Sequence, residues 1–297
     1  MKQLKGFKFS LPLFILAVLL HHPISADAIT LGLIGNSPAS DIKLFLPLAK
    51  YLSRELRAEG VTEGKVLVTR DVTELAGFLR EGKVDLHIDS YVRALALNQL
   101  VGSRPLLRRW KKGVAEYHGF IFVRDDSNIR KLEDLRGKTV AFDEPFSAVG
   151  YLLPKMMLME KGLTPAPAST LLGGNGVGYL FAERDENTLR WVLNGKVAAG
   201  AADYQRYTSE ARGRIGELRI LEKTASVPRH IVGARADIPD QRLSRIKEIL
   251  IGMNLSDEGR KILDDFEHTT KFDELTEFNV ALGPKLNKLL EAELKRR

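Results

Sequence analysis

The residues best suited to binding chemistry lie at positions 145–150, between a predicted strand that ends at Phe142 and a helix that begins near Ser147. The first backbone N–H groups of a helix have no partner within it, and the helix dipole is positive there. Such a start binds anions, and the Ser147 hydroxyl adds one more donor. The alternative is that Ser147 only caps the helix. Because open α/β sheets bind ligands where strands end, the position favours ligand binding.

A second group of polar residues lies on one strand. Asp85, His87 and Asp89 alternate, so their side chains share one face. Together with His118 they would offer imidazole and carboxylate donors to a divalent ion. No HExxH-type spacing accompanies them. We therefore interpret His87 as a polar group that lines a cleft, and we expect neither a metal site nor a cofactor.

Several enzyme classes lack their motifs in this chain. The glycine-rich run at 173–178 does not form a G-x-G-x-x-G that opens a helix, so it predicts a loop near the cleft and not a dinucleotide site. No G-x-S-x-G elbow is present. With no cysteine, the chain has no thiol nucleophile, thiolate zinc site, disulfide or lipid-modified cysteine. We expect a protein that is not an enzyme.

Strands and helices alternate along most of the chain. A strand at 29–35, a helix with apolar residues at helical spacing, and strands at 65–69 and 84–88 predict a mostly parallel sheet covered by helices. A second α/β block follows at about 118–222, with a loop at 164–169. Strands at 219–221 and 230–234 then lead back. The last helix, 284–297, carries its leucines on one face and is predicted to pack against the protein.

The N-terminus has the pattern of a secretory signal peptide, which we assign to residues 1–28. Lysines 2, 5 and 8 precede an apolar run at 11–20, and small residues follow at 26 and 28. Removing this segment takes away three lysines and one aspartate, so the formal charge falls from +7 to +5. No basic run is interleaved with aromatic residues, which argues against nucleic acid. We expect a periplasmic protein without a lipid anchor.

Four stretches of the sequence together resemble one protein family. They are 81–86, 120–129 followed by 132–142, 145–154 and 192–201, and their order is similar to that in the substrate-binding proteins of phosphate, phosphite and phosphonate ABC transporters. The resemblance implies a type II periplasmic-binding-protein fold, in which two α/β lobes joined by two hinge strands close on a ligand. The first lobe would comprise 29–117 plus 223–297, and the second lobe 118–222.

The resemblance also implies ligand contacts, although three motifs depart from the family pattern. The helix start normally reads Ser-Thr-Ser-Gly, and here two hydroxyls are missing. A His-Asp pair is replaced by Asp185-Glu186, and Gly-Pro before a Ser/Tyr position is replaced by Ile88-Asp89. From the resemblance and the topology together, we expect the ligand contacts to be Asn36, Ser37, Ser90, Tyr91, His118, Glu144, Ser147, Ala148, Val149, Gly150, Tyr151 and Glu186.

These features predict a solute-binding protein that captures a small oxyanion, similar to phosphonate or phosphate, and delivers it to an ABC permease. The alternative is a periplasmic sensor of the same fold that passes its open or closed state to a membrane signalling protein. A third hypothesis, from the enzyme class, is a phosphonate- or metal-dependent hydrolase. We expect a monomer.

Overall fold

The computed structural model describes residues 27–170, 174–183, 185–211, 213–275 and 277–295. The predicted signal peptide therefore lies outside the described residues except for Asp27 and Ala28, which begin the first strand. Within the described part of the chain, no helix is both long enough and apolar enough to cross a membrane.

The first seven elements alternate between strand and helix, and the sequence predicts the first six of them. Asp71 caps α2 by accepting hydrogen bonds from the backbone N–H groups of Thr73 and Glu74. The elements are β1 (Asp27–Ile34), α1 (Pro38–Glu55), β2 (Val61–Thr69), α2 (Val72–Arg80), β3 (Leu86–Ser90), α3 (Tyr91–Val101) and β4 (Arg104–Lys111).

The next group of elements begins with the short strand β5 and then builds a second sheet with its helices. It comprises β5 (Glu116–Tyr117), β6 (Gly119–Arg124), β7 (Thr139–Phe142), α4 (Leu153–Glu160), β8 (Thr164–Pro167), β9 (Gly176–Phe181), α5 (Asp185–Leu193), β10 (Ala199–Asp203), α6 (Tyr204–Ala211) and β11 (Leu218–Lys223).

The chain then returns to the first sheet. The closing elements are β12 (Val227–Pro228), β13 (His230–Ala234), α7 (Asp240–Gly252), α8 (Asp257–Asp265), β14 (Thr269–Glu274) and α9 (Glu277–Leu294).

Two six-stranded sheets form the centres of two lobes. The first lobe has the strand order β14-β4-β13-β3-β1-β2, and the second has β11-β6-β10-β7-β9-β8. Strands β1, β2 and β3 are parallel, as are β7, β8, β9 and β10, whereas β13, β4 and β14 join antiparallel. All strands of the second sheet come from residues between 119 and 223.

The lobes are joined where β5 and β12 pair antiparallel as a separate two-stranded ribbon. Beside the ribbon, the Gly119 amide donates to the Thr224 hydroxyl at 3.0 Å, and the Thr224 amide donates to the Gly119 carbonyl at 2.9 Å. Both crossing segments are thereby held together, so they form one hinge.

Helix α9 packs against both lobes. It contacts α3 of the first lobe, and α4 and the turn at 148–152 of the second. Leu286 and Leu290 are fully buried, which agrees with the predicted packed terminal helix. The apolar core consequently runs from the first lobe into the second without a break.

Several predicted elements differ from the structure. The expected loop at 164–169 contains β8, which tolerates its two prolines because it is the edge strand. The glycine-rich run was predicted to be a loop near the cleft, and this is wrong for Gly176 and Gly178, which belong to β9; Gly173 lies outside the described residues. Strands β4 and β14 and helix α6 were not predicted.

Candidate functional site

A cavity of about 290 Å³ lies between the two lobes, beside the hinge. Both lobes and both hinge segments contribute to its wall, so its shape depends on how the lobes meet. The residues that line it are Ser90, Arg93, Lys111, Tyr117, Asp143, Glu144, Phe146, Ser147, Ala148, Val149, Gly150, Asp203, Arg229 and His230.

The helix start predicted at Ser147 forms one wall of this cavity. The Ser147 hydroxyl accepts a hydrogen bond from the Gly150 amide at 3.1 Å, so it does cap the helix. Residues 148–152 form a wide π-type turn before α4, closed by the Leu152 amide bonding to the Ser147 carbonyl at 3.0 Å. The amides of Ala148 and Val149 are in the first turn, where no intrahelical acceptor is available to them. They remain as donors for an anion.

Gly150 is needed at this turn because space is short. A Cβ atom at this position would lie 2.7 Å from the Cβ of Asp143 and 2.8 Å from the Ser147 hydroxyl. The Asp143 amide also donates to the Gly150 carbonyl at 3.2 Å, which ties the end of β7 to the turn.

Arg93 contributes a fixed positive charge from the first lobe. Its guanidinium lies 3.3 Å from the buried carboxylate of Asp89 and 3.2 Å from Glu144 of the second lobe. Asp89 also accepts the Ser90 amide at 2.8 Å. Burial raises the pKa of Asp89, while Arg93 acts in the opposite direction. Since Asp89 holds one side of the guanidinium, Arg93 is preorganised to face the cavity.

Three further nitrogen-bearing side chains come from the hinge side. Arg229 packs over the ring of Tyr117, with 5.5 Å between its Cζ and the ring centre. Lys111 lies 2.6 Å from Glu267, and burial lowers its pKa. Burial, together with nearby Arg109, Lys111 and Arg229, lowers the pKa of the His230 side chain well below its ordinary value.

His230 is therefore neutral at neutral pH, with one ring N–H to donate. Its Nδ1 is buried and has no hydrogen-bond partner among the described residues. A buried polar atom of this kind normally has a partner. His230 lines the cavity, so the missing partner belongs to the wall of the candidate site.

The cavity also carries negative charge, from Asp143, Glu144 and Asp203. The wall is therefore mixed, with cations and backbone donors on several sides and carboxylates between them. Such a wall suits a small polar ligand that is surrounded closely. It does not suit a long polyanion.

The structure brings together half of the residues predicted to contact a ligand, since Ser90, Glu144, Ser147, Ala148, Val149 and Gly150 all line the cavity. Asn36 lines a smaller neighbouring cavity of about 180 Å³, whose wall also includes Arg93 and Glu144.

The other five predicted residues lie elsewhere. Ser37 is exposed at the start of α1, where its amide donates to Asp41 at 3.2 Å. Tyr91 is buried in the core, which raises its pKa to about 12. His118 is half-buried, with its ring 6.4 Å from that of Phe120.

Tyr151 and Glu186 also point away from the cavity. The Tyr151 hydroxyl donates to Glu293 of α9 at 2.6 Å, on the far side of the turn. Glu186 is exposed on α5 and lies 3.9 Å from Arg190, one helical turn away. Gly150 and Tyr151 are neighbours in the turn, but Gly150 lines the cavity whereas Tyr151 lies in the core.

His87 was interpreted as a cleft-lining group, and this is wrong. It is fully buried in the first lobe and bonds the Ser103 hydroxyl at 2.6 Å. It packs against β13 at Gly233, where a Cβ atom would lie 2.1 Å from its Nε2. Asp85 instead pairs with Arg235 at 3.1 Å. Across the described residues, no cluster of three or more His, Cys, Asp or Glu side chains could hold a metal.

Sequence reasoning missed Arg93, Lys111, Arg229 and His230. The strand at 230–234 was predicted, so its first residue could have been placed near the hinge. Pairing of His230 with Ser90 across β13 and β3 brings both to one edge of the sheet. Arg93 follows the predicted contact Ser90 by three residues.

A larger cavity of the described structure lies elsewhere. It is a groove of about 690 Å³ between α4 and α9, lined by Met156, Met159, Leu289 and two lysines among others. It is mostly apolar and contains no helix start.

The sequence matches a family model over residues 32–278, and that model is described as the periplasmic substrate-binding protein of phosphonate ABC transporters. The chain belongs to this family. The family consists of periplasmic solute-binding proteins, and the predicted resemblance is confirmed.

Among curated relatives, the phosphate-import protein PhnD of Mycolicibacterium smegmatis is 25% identical over 188 residues, which cover 59% of this chain. The match spans 55% of that protein's length.

Solved structures of similar proteins show the same fold. XAC2383 from Xanthomonas citri, solved with chloride, has a TM-score of 0.79 and 27% identity, covering 91% of this chain and 99% of that one. The same protein solved with ATP has a TM-score of 0.78 and 26% identity, covering 90% of this chain and 98% of that one. PhnD1 from Prochlorococcus marinus, in complex with methylphosphonate, has a TM-score of 0.61 and 17% identity, covering 89% of this chain and 98% of that one. The type II periplasmic-binding-protein fold is thus confirmed.

Proposed function

We propose that this protein captures one small phosphorus oxyanion, phosphate or a simple phosphonate, in the cavity between its lobes. The observation that carries the proposal is the helix start at Ser147, which shares one cavity with Arg93, Arg229 and His230, whose Nδ1 has no partner among the described residues. Backbone N–H groups, a guanidinium fork and a neutral imidazole are all donors to phosphoryl oxygens.

The size of the cavity supports a small ligand. A volume of 290 Å³ corresponds to about ten water molecules at the volume that water occupies in the liquid. This accommodates a phosphate or methylphosphonate with a few waters. A nucleotide, as in the ATP complex of XAC2383, would require the lobes to separate further.

Capture needs no covalent step. The ligand exchanges water for the amides of Ala148 and Val149 and for the Arg93 guanidinium, and lobe closure at the hinge then removes the remaining solvent. Excluding water strengthens each of these electrostatic contacts. We propose that the protein binds and releases its solute unchanged and is not an enzyme.

The missing hydroxyls at Ala148 and Val149 should lower affinity. A hydrogen bond to a charged oxygen contributes about 1.5–3 kcal/mol. Arg93 and Arg229 supply positive charge where these hydroxyls are missing. The site would therefore rely more on ion pairing than a site with the Ser-Thr-Ser-Gly helix start of the family. Binding should accordingly weaken as salt concentration rises.

We further propose that the signal peptide at 1–28 directs export, and that an ABC permease receives the solute from a monomeric binding protein. The family match supports this role. The alternative, a sensor that signals to a membrane protein, has no separate observation in its favour. Deleting the gene should abolish uptake of the solute if the protein serves import, and should leave uptake intact if it serves sensing.

Calorimetry with phosphate, methylphosphonate, sulfate and ATP tests the ligand assignment. We expect phosphate or methylphosphonate to bind most tightly, and small-angle scattering to show a smaller radius of gyration with ligand. Binding of ATP alone would show that the ligand class is a nucleotide. No heat and no compaction with either phosphorus oxyanion would overturn the proposal.

A further inference from the structure

Helix α9 carries a buried acidic residue into the second lobe. Glu293 is 5% exposed, and its Oε1 accepts hydrogen bonds from the Tyr151 hydroxyl at 2.6 Å and from the Lys155 ammonium at 2.8 Å. Lys155 also donates to the Tyr151 hydroxyl at 2.8 Å, and the hydroxyl of Tyr179 lies 3.3 Å from that of Tyr151. These four residues form what we call the Glu293 cluster.

The cluster lies inside an aromatic core. The ring of Tyr151 packs against Phe142 at 5.1 Å and Phe181 at 4.8 Å between centres, and the Lys155 ammonium lies 4.9 Å from the Tyr151 ring centre. Burial and the carboxylate of Glu293 raise the pKa of Tyr151, so its hydroxyl keeps its proton. The charged pair of Lys155 and Glu293 is thus enclosed by the second lobe.

An enclosed ion pair constrains its surroundings strongly. Removing one partner leaves an uncompensated charge in a medium that solvates it poorly, and this is far more disruptive than losing an exposed pair. Glu293 therefore cannot leave while Lys155 stays buried. The end of α9 is fixed to the second lobe.

The cluster is directly connected to the proposed ligand site. Tyr151 follows Gly150, and both belong to the π-type turn at 148–152, whose first three residues line the cavity. A wide turn of this kind is uncommon and is frequently found at functional sites. The orientation of the turn is set on one side by Ser147 and on the other by the hydrogen bond between Tyr151 and Glu293.

The other part of α9 is held by the first lobe. The side chain of Gln99 on α3 donates to the Asn287 carbonyl at 3.1 Å, and Leu286 and Leu290 are buried in the shared core. A movement of one lobe relative to the other must therefore strain α9 or release one of its two attachments.

We propose that Glu293 is a positioning residue for the ligand site: through Tyr151 it holds the turn at 148–152 in its binding geometry and couples that turn to helix α9. This rests on the proposed function. Because coupling between two sites is reciprocal, ligand at the turn stabilises the attachment of α9 by the same factor by which that attachment tightens ligand binding.

The test compares Glu293→Gln with Glu291→Gln, which removes an exposed carboxylate from the same helix. Hydrogen exchange is measured without ligand at the bonded amides of this turn, those of Gly150 and Leu152, and phosphate affinity is measured by calorimetry. For Glu293→Gln we expect exchange at these two amides and the Kd for phosphate each to rise by about tenfold or more, since Lys155 loses its partner. Glu291→Gln should match the wild type in both.

Tyr151→Phe provides a second variant in case Glu293→Gln does not fold. It removes only the hydroxyl that joins the turn to Glu293, and should weaken phosphate binding by about tenfold. In the wild type, phosphate should slow exchange in residues 286–294. A merely structural role would lower stability without this response in α9.

The two proposals fail differently. A wild type that binds no phosphorus oxyanion overturns the proposed function, while exchange at the Gly150 and Leu152 amides in the ligand-free variants still decides whether Glu293 holds the turn. Unchanged exchange at these two amides in both Glu293→Gln and Tyr151→Phe would overturn the positioning role. So would phosphate binding that leaves exchange in α9 unaltered.

Discussion

Arg93 and Glu144 form an ion pair across the cleft, with 3.2 Å between the guanidinium nitrogen and the carboxylate oxygen. Arg93 belongs to α3 of the first lobe and Glu144 to the loop that precedes the helix start of the second. The pair therefore joins the lobes at the edge of the ligand cavity. Because Glu144 is half exposed, this pair contributes little by itself, and a ligand anion can share the guanidinium.

Replacing Arg93 with glutamine should weaken phosphate binding by about 10- to 100-fold, the range for losing a charged hydrogen bond. It should also destabilise the fold, because the buried Asp89 loses its cationic partner. Calorimetry and urea unfolding measure the two effects. Arg136→Gln, on the exposed surface of the second lobe, is the control. An unchanged Kd for Arg93→Gln would place the anion elsewhere.

Replacing Val149 with serine should tighten binding of phosphate or methylphosphonate by about tenfold, since it restores a hydroxyl donor at the helix start. Val149 is 4% exposed and lines the cavity, so the smaller side chain should also cost about 1 kcal/mol of stability. Val149→Ala is the matched control, because it makes the same cavity without the hydroxyl. Equal affinities for the serine and alanine variants would contradict the assignment of the anion to this turn.

Replacing Gly119 with alanine should lower both the stability of the protein and its affinity for phosphate. A Cβ atom there would lie 2.2 Å from the Val149 carbonyl oxygen, a backbone atom that cannot move without shifting the helix start. We expect a loss of roughly 1–3 kcal/mol in the free energy of unfolding and weaker phosphate binding. Gly77→Ala, where nothing lies within 4 Å of the new Cβ atom in α2, should instead stabilise the protein. Wild-type phosphate affinity in Gly119→Ala would show that the close packing of Gly119 against the Val149 backbone does not support the site.

The sequence predicts the turn that we propose binds an anion because its signal is local. A strand, a short loop, a serine and a glycine are enough to place a helix start at Ser147. The same holds for β1, β3 and β13, whose apolar runs agree with the structure to within a few residues.

Strand β4 shows why other parts could not be predicted. Its sequence carries three arginines and a lysine, which indicates an exposed segment. In the structure Arg109 is 1% exposed, because Thr269, the Phe266 carbonyl and Glu267 surround its guanidinium. These partners lie some 160 residues away in sequence, and only the folded chain brings them together. Arg229 and Lys111 likewise reach the cavity wall only in the folded chain, where the hinge region brings them together.

Acid should destabilise the protein through His87. Burial lowers the pKa of this side chain from 6.5 to about 3. Below pH 6.5 the unfolded chain takes up a proton at His87 and the folded chain does not, so its contribution is complete above pH 6.5 and is lost as the pH falls towards 3. Between pH 6.5 and pH 4.5 this amounts to about 2–3 kcal/mol.

The comparison that isolates this effect is urea unfolding of the wild type and His87→Gln at pH 7 and pH 4.5. Glutamine keeps a polar group near Ser103 but does not titrate, so the variant should lose less stability on acidification than the wild type. Asp85 and Asp89, whose pKa values burial raises, act in the opposite direction in both proteins and cancel in the difference. His268→Asn, at an exposed position with a left-handed backbone that asparagine tolerates, should behave as the wild type. Equal losses of stability in the wild type and His87→Gln would contradict the prediction. They would mean that His87 is protonated in the folded protein, which requires the folded protein to expose the side chain that is buried against Ser103.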